Sequence, residues 1–299
     1  MGGIRGLLGA ISPDARSLPV ILRSWTFQPA VLASLTLAVL WYLAAMRRFR
    51  SRTGRSIGVA RWGCYMGGVA AVAVALVSPI ARYSELLLSV HMVQHLLLIM
   101  VAPPLLLLGA PVTLLLQASS GEARRRWILP ALHGRIMRVV AHPLVGWSLL
   151  AILLWASHFS PLYERALENE TVHALEHGAY LMAALLFWRP VVGLDPAGPR
   201  LSEPGRLLYL FLAMPQSALL GVAIYGSGHV LYPHYVAATS ALGLSALADQ
   251  HLAGAIMWEG GLLVMVPAMS FVLYDWLGRE ERAAARADRH ALPISPPGA

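Results

Sequence analysis

Seven stretches of this chain are apolar over about the 20 residues that a helix needs to cross a bilayer: Phe27–Met46, Trp62–Ile80, Leu86–Leu108, Val139–Trp155, Val172–Val192, Leu207–Gly226 and His251–Trp276. No other feature narrows the fold so far. Hydrocarbon offers backbone N–H and C=O groups no partner, so each stretch must be helical. The expected fold class is all-α: a polytopic membrane protein built as a seven-transmembrane-helix bundle. Composition supports this, because 13% charged residues against 57% hydrophobic ones cannot coat a soluble domain of 299 residues. Three segments are expected: residues 1–26 as an N-terminal periplasmic or interfacial segment, 27–276 as the seven-helix domain, and 277–299 as a cytoplasmic tail.

Arginine sets the expected orientation. All 23 basic residues are arginine, and 18 of them lie between spans one and two, three and four, five and six, or after span seven. By the positive-inside rule that side is cytoplasmic. The N-terminus is then periplasmic and the C-terminus cytoplasmic. Arginines placed between apolar runs do not form the basic face of a soluble nucleic-acid-binding fold, so nucleic acid is excluded as a partner. Lipid is the expected surroundings, with Trp25, Trp62, Trp127 and Trp276 near the interfaces. Cys64 is the single cysteine, so no intramolecular disulfide can form. The first 25 residues lack a continuous apolar core, and no cleaved signal peptide is expected. The weakly apolar stretch Tyr235–Ala248 is expected on the outer surface, and the tail after Arg279 is expected to be poorly ordered.

The 11 histidines are distributed oppositely to arginine. His91, His95, His158, His173, His177, His229, His234 and His251 fall toward the outer side; only His133, His142 and His290 fall inside. His91/His95 and His173/His177 are each four apart, which puts both rings of a pair on one helix face. A buried imidazole in the outer third of a bilayer is costly unless it faces protein, water or a metal. Neutral imidazole suits copper, zinc and iron, and a thioether such as Met92 adds preference for Cu(I). His91, His95, His173, His177, His251 and His158 are therefore the candidate metal ligands. Glu176 and Asp249 are candidates to orient an imidazole. Glu259 lies about 12 Å into span seven by helical rise, where an ionised group is expensive. Pro103 and Pro104 should kink span three, and Pro215 and Pro267 offer the same possibility in spans six and seven. His173-Ala174-Leu175-Glu176-His177 matches the H-x-x-E-H zinc-peptidase pattern. A five-residue match without a third ligand is weak, and no enzymatic activity is expected.

The stretches "HMVQHLLLIMVAPPLLLLGAP", "TVHALEHGAYLMAALLFWRPVVG" and "DQHLAGAIMWEGG" resemble the seven-span CtaG family of cytochrome c oxidase assembly factors. The resemblance covers spans three to seven. It implies a multi-pass protein of the bacterial inner membrane that helps assemble a haem-copper oxidase, with a part in copper supply. Carried over by residue, it marks His91, His95, His173, His177, Asp249 and Gln250. The expected function is a non-enzymatic metal chaperone. It would receive copper from a periplasmic donor, hold it at the histidines and pass it to an oxidase subunit. Two alternatives stand beside it: a redox protein holding haem b between histidines, and a copper transporter, which would need ligands at successive depths.

Overall fold

A computed structural model describes residues 18–160, 165–167, 169–196 and 198–291. Most of the N-terminal segment, where no signal peptide was expected, and the Pro-rich end of the tail lie outside the described residues. The described residues are helical, with no strand among them. Seven helical elements carry the bundle: α1 (Pro29–Thr53), α2 (Val59–Val77), α3 (Leu88–Leu108, in three parts), α4 (Pro143–His158), α5 (Glu170–Val192), α6 (Glu203–Tyr225) and α7 (Ala246–Ala291).

Local chemistry sets several of their ends. Pro29 opens α1, and Gly54 closes it in the left-handed region at φ 67°. The Asn169 side chain accepts from Thr171 and Val172 N–H to start α5, and Ser202 does the same at α6 through Gly205 N–H. Helix α3 has no cap of its own. Its first turn is held by Asp249 of α7, whose carboxylate accepts from Leu88 N–H at 2.7 Å, Ser89 N–H at 3.4 Å and Ser89 O–H.

By length and composition, five helices can cross a membrane: Pro29–Thr53, Val59–Tyr83, Leu88–Ala118, Glu203–Tyr225 and Ala246–Arg286. The protein is thus multi-pass. Seven spans were expected. The fourth begins at Pro143, after a separate short helix Arg135–Val140, and its 16 residues make it a shorter apolar helix. The fifth, α5, has 23 residues, but His173, Glu176 and His177 in its first turns dilute its apolar character. Two other expectations change. The last helix does not end at Trp276 but continues to Ala291. The 235–248 stretch is not simply superficial: His234–Ala241 is a helix that buries Tyr235, Ala238 and Thr239.

The core lies among α3 to α7, around Tyr180, Phe187, Trp188, Leu210, Leu220 and Ile224. Helix α6 packs on α7 and α4 on α5. The α6–α7 crossing needs glycine on both sides: a Cβ on Gly221 would sit 2.7 Å from the Gly254 oxygen, and one on Gly254 2.6 Å from the Gly221 oxygen. Large apolar side chains such as Leu37, Leu263 and Phe271 remain on the outside, as expected where hydrocarbon is the solvent.

The proline pair acts through a change of helical register. Residues Leu97–Val101 form a π-helical turn immediately before Pro103 and Pro104. The Ile99 carbonyl would pair with residue 103 in an α-helix or residue 104 in a π-helix. Both are prolines and neither has an N–H. The indole of buried Trp188 on α5 donates to that carbonyl instead, at 2.9 Å. Pro215 and Pro267 are contained within α6 and α7.

Candidate functional site

Five imidazoles gather at one end of the bundle, where α3 and α5 begin and α4 ends. His91 and His95 come from α3, His158 from the last turn of α4, and His173 and His177 from α5. Ring centroids within the two helical pairs are 4.3 Å (His91–His95) and 4.2 Å (His173–His177) apart. Between helices, His91 lies 5.6 Å from His173 and 6.3 Å from His177. His95 lies 5.9 Å from both His177 and His158. The i,i+4 spacing turns each pair inward, and the packing of α3 against α5 sets the pairs face to face.

Hydrogen bonds orient two of the rings. The His158 Nδ1 meets the Leu154 carbonyl at 2.8 Å. A carbonyl only accepts, so Nδ1 carries the proton and the lone pair is on Nε2. The Tyr235 hydroxyl donates to Ser84 O at 3.2 Å, so its oxygen accepts from His91 Nδ1 at 3.3 Å. That again leaves the lone pair on Nε2. Several other atoms of the group are unpartnered. Both ring nitrogens of His95, the Nε2 atoms of His173 and His177, and both carboxyl oxygens of Glu176 are buried without a hydrogen-bond partner. Buried polar atoms in folded proteins nearly always find one.

Not every expected residue joins this group. His251 is elsewhere: its Nε2 meets Ser227 O at 3.1 Å and its ring packs on Tyr225. Asp249 does not orient an imidazole; it caps α3. Gln250 is 1% exposed and ties down the α6–α7 connection, accepting from Leu231 N–H at 2.7 Å and donating to His229 O at 3.0 Å. Glu176 lies between the α5 histidines but makes no hydrogen bond to either. Glu259 is exposed on α7, two residues past buried Met257 and so turned away from the bundle. Met92 is buried beside His95. Glu85, just before α3, has its carboxyl raised above the usual range by burial, with Arg82 opposing.

Three residues belong to the site without having been singled out. The Tyr180 ring lies 4.7 Å from that of His95, tilted at 50°, and its hydroxyl bonds Ser157, which also meets His158 Nδ1 at 3.0 Å. Tyr235 holds His91. Tyr180 follows His177 by three and shares its helix face, a signal present in the sequence. Tyr235 is separated from His91 by more than a hundred residues, and no local pattern points to it.

The rings are in contact, yet they do not form a finished coordination sphere. Among the described residues, no three His, Cys, Asp or Glu side chains are grouped as a ready metal site. The donor set nonetheless suits a borderline or soft ion: up to five imidazoles and one carboxylate, with Met92 adjacent. The cavity that His95 borders is about 20 Å³, about the room for one water or one ion.

A family model described as the cytochrome c oxidase caa3 assembly factor matches residues 40–279. An uncharacterized protein of Mycobacterium bovis is 30% identical over 291 residues, which is 95% of this chain and 44% of that protein. An uncharacterized protein of Mycobacterium tuberculosis matches to the same extent, and one of Mycobacterium leprae is 28% identical over 291 residues. The chain spans less than half the length of these curated relatives. No solved structure matches it.

Proposed function

The chain belongs to the cytochrome c oxidase caa3 assembly factor family, and from that premise we propose that it supplies copper to the oxidase during assembly. Copper is the cargo. His91, His95, His158, His173 and His177 receive it at the outer face of the bacterial inner membrane and release it to an oxidase subunit docked there. In this reading all seven helices of the bundle cross the bilayer, α4 and α5 included. The arginine-rich connections and the end of α7 face the cytoplasm, and the N-terminus faces the periplasm.

The observation that carries this reading is the set of buried, unpartnered nitrogens on His95, His173 and His177. Such atoms cost free energy in a core made only for packing. They become useful when an ion takes them up. The unfinished geometry fits a carrier better than a storage site, because a closed tetrahedral shell holds its metal too firmly to hand it on. Rotation of contacting rings would draw two or three nitrogens to one ion. Haem fits less well, since rings packed 4–6 Å apart leave no space for a macrocycle.

Metal analysis of purified protein after copper loading tests this. The wild type should retain copper, and a His91→Ala/His177→Ala variant should retain less. Equal copper content in both would overturn the reading. An optical spectrum of the same samples should lack a Soret band; its presence would favour haem.

A further inference from the structure

The interior beneath the imidazoles is rich in thioethers, and their placement adds a second station. Met92 and Met100 lie eight residues apart on α3, and Met257 and Met265 eight apart on α7, about 12 Å along each axis. All four are buried, from 1% to 6% exposed. Two small cavities, each about 20 Å³, lie beneath the imidazoles, the upper mainly against α3 with Met257 of α7 and the lower mainly against α4 and α6. The upper one is lined by Met92, His95, Met257 and Met100. The lower one is lined by Met100 and Met265. Met100, Leu154 and Ser217 border both.

Methionine commonly fills gaps in a core, and that alone would explain thioethers around a void. It does not explain His95. That ring is 4% exposed, borders the upper cavity, and has no hydrogen-bond partner for either nitrogen. A residue chosen only for packing would not bring two orphaned polar atoms to an apolar void. We propose that the upper cavity is a second, deeper metal site, taking a soft monovalent cation of the Cu(I) type on the Met92 and Met257 sulfurs and one His95 nitrogen, with Met100 leading onward.

The chemistry selects the ion. No carboxylate lines the cavity, so a divalent ion would keep its full charge in a low-dielectric space. The Born cost grows as the square of charge, so it falls about fourfold for a monovalent ion. Neutral sulfur and nitrogen donors prefer Cu(I). A void of one water's size admits a bare ion only, so the donors must replace its hydration shell. A neutral imidazole offers one lone pair at a time. His95 can therefore serve the outer imidazoles or the inner thioethers, but not both at once, which suits hand-over between them. This inference rests on the copper reading above for the identity of the metal.

The full-length protein in detergent, labelled with selenomethionine and loaded with Cu(I) under reductant, provides the test. X-ray absorption at the selenium edge should show a copper neighbour. The signal should disappear in Met92→Leu/Met257→Leu, a nearly volume-conserving pair of changes. Competition against a Cu(I) chelator should show that variant holding one equivalent less than wild type, with Zn(II) binding unchanged. Absence of a selenium–copper contact in the labelled wild type, which needs no substitution and so no refolding, would overturn the proposal. So would equal Cu(I) stoichiometry in a folded double variant. A His173→Ala/His177→Ala variant separates the two sites. If it keeps its full copper content while the selenium signal persists, the outer reading falls and the inner one stands.

Discussion

Two ends of the same bundle each start a helix with a buried aspartate, and each also buries a nitrogen without a hydrogen-bond partner, the Arg206 Nε at one and imidazoles at the other. At the end opposite the histidines, Asp195 is 6% exposed and accepts from Thr113 N–H at 2.7 Å, Thr113 O–H at 2.8 Å and Val112 N–H at 3.3 Å. It thereby starts the helix Pro111–Ala118. At the histidine end Asp249 does the same for α3. Each acid is remote in sequence from the helix it caps and fully used. Beside Asp249, however, His95, His173, His177 and Glu176 bury polar atoms that bond to nothing. Nearness to an end of the bundle does not explain this, nor does burial, because Asp195 and Asp249 are as buried as these groups. What differs is how the polar group is used: the aspartates cap helices of the fold, while these imidazoles and Glu176 hold buried polar atoms with no hydrogen-bond partner.

Substitutions can break that contrast. The largest effect should follow loss of a cap. Asp249→Ala leaves two backbone N–H groups and a hydroxyl unpaired and should cost about 3 kcal/mol of stability. Copper retention should fall as well, because α3 carries His91 and His95. Asp195→Ala should cost a similar amount yet leave copper retention unchanged. Denaturation in mixed micelles, with metal analysis of the folded fraction, measures both. Trp188→Phe comes next: it strands the Ile99 carbonyl and should cost about 2 kcal/mol, with the loss concentrated in hydrogen-exchange protection around residues 97–104.

The sharper test is smaller. His177→Leu should abolish or weaken copper retention while changing metal-free stability by less than about 1 kcal/mol, in either direction, because it removes an unsatisfied polar atom. A loss as large as that of Asp249→Ala would mean that His177 is structural and would erase the contrast. The smallest effect belongs to residues away from the group. His251→Ala should leave copper content unchanged, and Glu259→Gln, at an exposed position on α7, should shift stability by less than about 0.5 kcal/mol.

Sequence periodicity reached this site through rotation, and it failed where rotation was ignored. The i,i+4 spacing of His91/His95 and His173/His177 already put each pair on one face, and the outer position of His158 placed it at the same level. Depth alone makes Glu259 look enclosed; its angle on α7, two residues from Met257, sends it outward. Asp249 stands out by its place beside His251 and Gln250 by resemblance, but their roles depend on long-range partners, Leu88 and Leu231, that no local pattern names. The seven apolar runs identified the helices, yet their ends depended on details that hydropathy averages away. Pro143 delays α4, and α7 continues through a charged stretch because nothing there breaks a helix. The π-helical turn at Leu97–Val101 was legible only as two prolines; the indole that makes it tolerable comes from α5.

Helix α7 has 46 residues, about 69 Å of continuous helix, more than twice the roughly 30 Å of hydrocarbon it crosses. Its first turn holds Asp249, the clamp on α3. Near the other extreme, Arg279 grips Glu203 at 2.9 Å, and the helix then projects beyond α6. A single helix, with Pro267 inside it, thus joins the residue that caps α3, the helix of His91 and His95, to a charged stalk beyond Arg279. A protein that seized the stalk and pulled or twisted it would be gripping the same rod that seats those two rings.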